Sequence, residues 1–86
     1  MYYTYIIKST KDGKMYTGCT NNLRKRVAEH NSNQVRSTEG RGPFQIFYYE
    51  ACLEQGDAFA REKYLKSGMG KRYIKNRNKR FLSLTG

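Results

Sequence analysis

The sequence predicts a single-domain α+β fold, within the broad α/β class, in which a small sheet packs against helices. Segments with the aromatic and β-branched residues that are typical of strands occur three times, and segments with helical spacing follow the second and the third. At 86 residues the chain is long enough for one hydrophobic core and too short for two. No repeat or low-complexity tract is evident, so we expect one domain over residues 1–86.

Two of the predicted strands form a hairpin. Tyr2–Lys8 carries β-branched and aromatic residues, and Asp12-Gly13, a dipeptide typical of tight turns, follows it. Lys14–Cys19 follows at hairpin distance, so we expect it to pair antiparallel with the first strand. Pro43 stops any helix, and Phe44–Glu50 has the composition of a third strand that completes the sheet.

Capping residues mark the predicted helices. Thr20–Asn22 supplies side-chain oxygens for the first turn of one helix, and Asp57 is expected to cap the next. Gly68 is expected to end that second helix in a left-handed conformation, and residues 69 and 70 are expected to separate it from a basic terminal helix. The expected helices are Leu23–His30, Ala58–Lys66 and Lys71–Phe81.

The charge of the chain points to an anionic partner. It has 17 Lys and Arg against 7 Asp and Glu, a formal charge of +10. Such an excess attracts a polyanion, and nucleic acid is the first to consider. A merely soluble basic protein is the alternative, because net charge bears on association rather than on fold.

The sequence indicates neither a membrane protein nor a secreted one. No stretch approaches the ~18 consecutive apolar residues of a membrane span, and Lys8 interrupts the N-terminal segment, which lacks the pattern of a secretion signal. Cys19 and Cys52 lie far apart without nearby histidines, which predicts neither a zinc site nor a disulfide framework. We therefore expect a cytoplasmic protein with reduced thiols, no membrane association and no obligate protein partner.

Two tyrosine motifs and a later glutamate motif resemble a known family. Thr4–Ile6 and Tyr16–Gly18 lie on successive strands, and Asn22–Arg26 and His30 follow them. This order resembles the signature of the GIY-YIG nucleases. Arg61–Lys66, with its central glutamate, resembles the family's later motif. The match covers nearly the whole chain and is most similar to the short stand-alone bacterial members.

The resemblance implies a three-stranded antiparallel sheet flanked by helices, and hydrolysis of nucleic acid that depends on one divalent metal, Mg²⁺ or Mn²⁺. It implies that Glu62 binds the metal. The first motif departs from the family in reading Thr-Tyr-Ile rather than Gly-Ile-Tyr, and Cys19 stands where some relatives carry lysine or serine. The catalytic residues that it implies are Tyr5, Tyr16, Arg26, His30, Glu62 and Asn76, with Asn78 as a second candidate for the last.

The chemistry of these residue types suits phosphodiester hydrolysis. The resemblance implies that Tyr16 takes a proton from water, which an ordinary phenol, of pKa about 10, does only when nearby positive charge lowers that value. Arg26 can donate two parallel hydrogen bonds to phosphate oxygens and stays charged. The alternatives are that Tyr16 is an aromatic residue on a strand face and that Arg26 is a solvated charge.

Glu62 is notable without any resemblance, because it falls on the same helical stripe as Ala58 and Leu65. A carboxylate on a core-facing stripe must be paired, neutralised or bound to a cation, and magnesium accepts a single carboxylate with waters and phosphate. The alternative is an ion pair with Arg26 or Lys66. His30 can shuttle a proton or contact phosphate, but lone histidines often bond to the last carbonyls of a helix.

Glycine and basic side chains make up the predicted nucleic-acid contacts. Gly18 either lets a phosphate approach the backbone or marks a bulge at the strand end. Residues 31–42 are expected to form a polar surface loop that carries two of the arginines. Tyr73 and Phe81 either stack on unpaired bases or pack in the core. The predicted contact residues are Gly18, Arg24, Lys25, Arg36, Arg41, Lys71, Arg72 and Lys75.

These observations predict a metal-dependent endonuclease, acting on DNA with low sequence specificity. The competing interpretation is a basic module that binds nucleic acid without cutting it, in which the tyrosines only serve the core. A binding module could dispense with Glu62, whose burial costs free energy, whereas the nuclease requires that carboxylate.

Overall fold

A computed structural model describes residues 1–78, which form a three-stranded antiparallel sheet with helices on both faces. The central strand is β1 (Tyr2–Ser9), flanked by β2 (Met15–Thr20) and β3 (Phe44–Cys52) in the order β2-β1-β3. The predicted α+β fold class is therefore confirmed. Within these residues, no helix is both long and apolar enough to cross a bilayer.

The hairpin between β1 and β2 closes as the turn residues predict. The backbone N–H of Gly13 donates to the Ser9 carbonyl over 3.0 Å, and the glycine takes a φ of 75°, which side chains with a Cβ disfavour. The register sets Tyr5 opposite Gly18 and Ile7 opposite Tyr16. Because side chains alternate along a strand, Tyr5 and Tyr16 lie diagonally on one face of the sheet.

One face of the sheet packs against α1 (Leu23–Asn31). Asn22 caps this helix, since its Oδ1 accepts the backbone N–H of Lys25 over 3.1 Å. The helix turns Leu23 and Val27 toward the sheet, as their spacing predicts. They pack against the buried cluster of Tyr5, Ile7 and Phe44, with Tyr16 at its margin.

The other face packs against α2 (Gln55–Lys66) and α3 (Gly68–Arg77). Its buried cluster joins Ile6 of the sheet to Leu65 and Ile74 of the two helices, and Tyr73 packs against that cluster. Tyr73 therefore serves the core, the second of its two predicted roles. Phe81 and the predicted end of the terminal helix lie outside the described residues.

The start of α2 was predicted three residues too late. Asp57 lies inside the first turn rather than at the cap, and Glu54 occupies the N-cap position without a side-chain hydrogen bond. The expectation treated Gly56 as loop sequence. A glycine costs little in the first turn, where the backbone N–H groups have no helical partner, and Asp57 there faces the positive end of the helix dipole.

The predicted break between the last two helices is also wrong. Ser67 alone separates α2 from α3, and Gly68 is the first residue of α3 rather than a left-handed cap. The Ser67 Oγ accepts the backbone N–H of Gly70 over 3.2 Å, which caps α3. Gly70 is buried against the backbone of Tyr64 and Leu65, so this glycine permits close helix packing inside the helix instead of ending it.

The predicted surface loop at residues 31–42 is partly ordered by burial. A short 3₁₀ helix covers Arg36–Thr38, and Val35 and Thr38 are buried beneath it. The sequence did not predict this burial, because the segment has few apolar residues and Thr38 is held in place by the hydrogen bonds of its hydroxyl group.

Candidate functional site

The centre of the candidate site is the phenol of Tyr5. Its side chain is only 2% exposed, and its hydroxyl donates to Nε2 of His30 over 2.8 Å. The ring crosses over Gly18 on the neighbouring strand, so closely that a Cβ at Gly18 would overlap the ring and its hydroxyl. The structure thus shows a third role for Gly18, which is to make room for Tyr5.

His30 is buried and holds Tyr5 through a chain of hydrogen bonds. The Thr38 hydroxyl donates to the Val35 carbonyl over 3.4 Å and accepts from Nδ1 of His30 over 2.7 Å. That arrangement leaves Nε2 as the acceptor for Tyr5. Burial, and then the nearby positive charge of Arg26, lower the pKa of His30 and keep the ring neutral. The helix-end alternative for His30 is therefore wrong.

Arg26 reaches the same phenol from α1. Burial raises the pKa of Tyr5, and the nearby guanidinium of Arg26 opposes that effect without cancelling it. The proximity of Tyr5 in turn raises the pKa of Arg26, which also pairs with Glu29 over 3.2 Å. Arg26 is thus held in place on the protein rather than freely solvated.

Tyr16 differs from Tyr5 in its hydrogen bonding. Its ring packs edge-on against Phe44, with 5.6 Å between centroids, and it is half-buried. Within the described residues its hydroxyl makes no hydrogen bond, so it can bind water or substrate. The side chain lines a cleft of about 330 Å³ with Ser37, Lys66 and Lys71.

Glu62 approaches from the opposite face of the sheet. Its negative charge raises the pKa of Tyr5 and contributes to the raised pKa of Cys19, whose first cause is burial, so the carboxylate lies near both. The Tyr5 ring lies against Gly18 and the Glu62 charge acts on Cys19, so the two approach each other from opposite faces at β2, one of the two edge strands of the sheet. The site is therefore assembled at one edge from both layers.

The expected burial of Glu62 needs correction. Ala58 and Leu65 on the same stripe are buried, but the Glu62 side chain keeps 21% of its exposure and bonds to Lys66 Nζ over 2.9 Å. The stripe faces the core only at its two ends because Glu62 lies where α2 passes the edge of the sheet. Of the two alternative ion pairs, the structure contains the one with Lys66.

The residues present fit a hard divalent cation such as magnesium. Among the described residues, no three acidic, histidine or cysteine side chains are grouped as a protein cage for a metal. One oxygen of Glu62 makes no hydrogen bond within the same residues. Magnesium typically takes one or two carboxylates and completes its shell with water and substrate phosphate, so this single carboxylate is a sufficient donor set.

The predicted basic contacts fall into separate surfaces. Lys71 lies beside Tyr16, and Lys75 joins it in a neighbouring cleft on the α3 face. Arg24 lines a cleft at the start of α1, while Arg41 lies at the hairpin end with Asp12. The remaining predicted contacts are exposed on α1, the 3₁₀ helix and α3, and these are Lys25, Arg36 and Arg72.

The C-terminal asparagines are not linked to the other site residues. Asn76 is exposed on α3 and makes no hydrogen bond within residues 1–78. Asn78 Nδ2 donates to the Ile74 carbonyl over 3.0 Å and so contributes to the end of α3. Neither asparagine is hydrogen-bonded to Tyr5, Arg26 or Glu62.

Sequence reasoning missed Thr38 and Ser37. Both belong to a polar segment in which no spacing distinguishes them from solvated loop residues. Only the fold brings Thr38 to His30 and Ser37 to Tyr16.

Comparisons with known proteins identify relatives of this chain. The profile of the GIY-YIG catalytic domain matches residues 1–80. A UPF0213 protein of Clostridium perfringens is 45% identical over 67 residues, covering 77% of this chain and 71% of the relative. Another, of Pediococcus acidilactici, is 38% identical over 81 residues, or 87% and 82%. The solution NMR structure of a UPF0213 protein from Bacillus halodurans is 30% identical, with a TM-score of 0.49, and the match covers 100% of this chain and 87% of that one.

The profile match spans nearly the whole chain, and the first of these relatives is similar over more than two thirds of its own length. The chain therefore belongs to the GIY-YIG catalytic domain family, a family of nucleases.

Proposed function

We propose that the protein is a divalent-metal-dependent endonuclease that hydrolyses phosphodiester bonds of DNA with low sequence specificity. One observation carries this proposal. His30 and Arg26 hold the Tyr5 phenol from the α1 face, and the charge of Glu62 acts on the same phenol from the α2 face. The positive charge of Arg26 suits a phosphate, and the negative charge of Glu62 suits the metal ion that helps to cleave it.

Phosphate binding falls to the cationic side chains at this edge. The ion pair with Glu29 holds the Arg26 guanidinium beside Tyr5, so less freedom is lost when it donates to phosphate oxygens. Lys66 and Lys71 line the cleft beside Tyr16 and supply further positive charge. Such groups stabilise the charge that builds on the phosphate oxygens during attack.

In this proposal the Tyr16 hydroxyl accepts the proton of the attacking water as it releases its own phenolic proton to bulk water. Its hydroxyl makes no hydrogen bond within the described residues, and the residue lines a cleft together with Lys66 and Lys71. Tyr5 is less suited to that role, because it is 2% exposed and its proton is engaged with His30. Tyr5 and His30 instead position Arg26.

Glu62 would hold the divalent ion through its carboxylate. When bound, such an ion neutralises charge on the phosphate and on the leaving oxygen. The carboxylate would exchange its contact with Lys66 for this ion, which frees the lysine for the phosphate. The exchange costs little, because Lys66 is 57% exposed and surface pairs at i and i+4 contribute only about 0.3–0.5 kcal/mol.

Low specificity is proposed because the side chains at this edge are suited to phosphate rather than to base edges. Phosphate contacts fix position and carry no direct sequence information. DNA is proposed as the substrate class on the strength of family membership and the net charge of +10.

The test is cleavage of labelled DNA with magnesium or manganese and with chelator, using the wild type, Glu62→Gln and Glu54→Gln. Glu54→Gln is the matched control, because it removes an equal charge from an exposed residue at the start of α2. We expect cutting that chelator abolishes, that Glu62→Gln loses and that the control keeps. Equal cutting with and without chelator would remove the metal from the proposal.

Melting temperature must be measured on the same samples. The exposure of Lys66 limits the stability loss in Glu62→Gln to about 0.5 kcal/mol, which is roughly 2–4 °C in a domain of this size. Loss of cutting with so small a shift would place the defect in the chemistry. A much larger shift would show that Glu62 serves the fold.

A second candidate function is the non-catalytic binding module. The Glu62–Lys66 ion pair favours it, since a carboxylate with a lysine partner does not require a metal. In that case the wild type would bind DNA with a strong salt dependence and leave it intact under every metal condition.

A further inference from the structure

A second cleft, of about 540 Å³, opens on the α1 face of the sheet. Its floor includes Tyr3 and Tyr49, and its wall includes Arg24 at the start of α1. A volume of this size is within the range of small-molecule sites. Neither the family signature nor the proposed chemistry at Tyr16 and Glu62 uses this cleft.

The floor of the cleft offers an aromatic surface. Tyr49 is 54% exposed although it lies on a sheet face, and its ring is tilted by 59° from that of Tyr3 at a centroid distance of 6.2 Å. In this tilted contact the Tyr3 and Tyr49 rings do not stack face to face, so much of the Tyr49 ring surface stays exposed. Exposed aromatic rings of this kind are platforms on which planar ligands stack.

The wall of the cleft is suited to an anion. No carboxylate lines the cleft, the first turn of α1 has no acidic residue, and Arg24 forms no ion pair within the described residues. The backbone N–H groups of Leu23 and Arg24 bind no acceptor in the same part of the chain. A helix start with free N–H groups attracts negative charge, and Arg24 adds to that attraction. A planar ring joined to a phosphate satisfies both parts of the cleft.

The cleft lies next to the proposed reaction site on the same face of the sheet. Tyr3 is two residues from Tyr5 on β1 and faces the same side, a separation of roughly 7 Å at the rise of a strand. Tyr49 pairs with Tyr5 in the register of β1 and β3, so the two residues lie on neighbouring strands, roughly 5 Å apart at the backbone, and face the same side of the sheet. Arg26 lies beside the Tyr5 phenol, so the base next to a phosphate bound there lies on the side of the sheet that carries Tyr49.

We propose that this cleft binds a single unpaired nucleobase beside the phosphate that is cut, so that the protein prefers DNA with unpaired bases at the cut. The inference rests on the proposed nuclease function. A paired base is stacked inside the duplex and cannot lie on the Tyr49 ring, whereas a base in a single strand or a bulge can.

Binding without metal tests the cleft apart from cleavage. Fluorescence anisotropy in chelator would compare a short single strand, the same strand with one abasic position, and a duplex. The variants are Tyr49→Ala, Tyr49→Phe and Phe59→Ala, where Phe59 is an equally exposed aromatic on α2 that does not line the cleft. We expect Tyr49→Ala to weaken single-strand binding about tenfold, within the range for base–aromatic stacking, and to change duplex binding less than twofold.

The other variants complete the test. Tyr49→Phe should bind like the wild type because it keeps the ring, and Phe59→Ala should bind normally. The abasic strand should reduce the effect of Tyr49→Ala when the missing base is the one that enters the cleft, so the gap is moved along the strand. Equal losses for single strand and duplex, or no loss with Tyr49→Ala, would overturn the nucleobase site. Metal-dependent cutting that persists with such a result would leave the nuclease proposal intact, and a wild type that binds no DNA would overturn both.

Discussion

Replacement of Gly18 by alanine tests the central contact of the site. The added Cβ would overlap the Tyr5 hydroxyl and Cζ and would lie 3.0 Å from Cε1, against 3.5–4.0 Å for an ordinary carbon contact. Tyr5 cannot swing away, because it is 2% exposed, packs with Ile7 and Phe44, and bonds to His30. The strain must be taken up inside the core.

The cost follows from two terms. Overpacking a well-packed core costs about 1–3 kcal/mol, and displacement of the phenol from His30 adds about 0.5–1.5 kcal/mol for the weakened hydrogen bond. We expect a loss of roughly 2–4 kcal/mol in the free energy of unfolding. In a domain of this size each kcal/mol corresponds to about 4–8 °C, so the melting temperature should fall by roughly 8 °C or more.

Urea unfolding and thermal melting of Gly18→Ala, Gly56→Ala and the wild type would measure these values. Gly56 is the matched control, because nothing lies within 4 Å of a Cβ there and its φ is not positive. Alanine at Gly56 should therefore stabilise the protein by about 0.4–1 kcal/mol. A Gly18→Ala variant that melts with the wild type would refute the close packing of Tyr5 over Gly18, and with it the position assigned to that phenol.

Three further outcomes are expected. Thr38→Val leaves Nδ1 of the buried His30 unpaired and should cost about 1–3 kcal/mol in urea unfolding, most of which Thr38→Ser should restore. Gly70→Ala drives a Cβ into the backbone of α2 and should destabilise more than Gly18→Ala in the same assay, because backbone cannot rotate away. Folding lowers the pKa of His30, so the unfolded protein binds a proton at this residue before the folded protein does as the pH falls. The contribution of His30 to the free energy of unfolding should be complete above pH 6.5 and should be lost as the pH drops below that value. Melting curves taken across pH should show that His30→Gln lacks this part of the pH dependence.

Local signals predicted the hairpin, the third strand and the first helix. Gly13 supplies the positive φ of the turn, and Asn22 caps α1 with its own side chain, so both features are encoded within a few residues. The junction between α2 and α3 could not be predicted in this way. There, Gly70 signals a break in sequence but serves a contact between two helices that only the folded chain brings together.

The same division applies to the candidate site. The identities of Tyr5, Arg26, His30 and Glu62 were available from the order of motifs, but their bonding was not. For His30 the sequence left a catalytic role and a helix-end role open, because its partner Thr38 lies in a segment with no apolar pattern. Glu62 read as buried, because helical spacing shows which stripe a residue occupies and not where the helix passes the edge of a sheet.

The site joins the helix layers on the two faces of the sheet. α1 carries Arg26 and His30 on one side of the sheet, and α2 carries Glu62 on the other, with β2 as the boundary between them. The sheet is only three strands wide, so this boundary lies next to the central strand. The register of the β1–β2 hairpin therefore sets the position of Arg26 and His30 relative to Glu62. A further strand beside β2 would bury that boundary, so the small size of the sheet keeps the site open to a substrate.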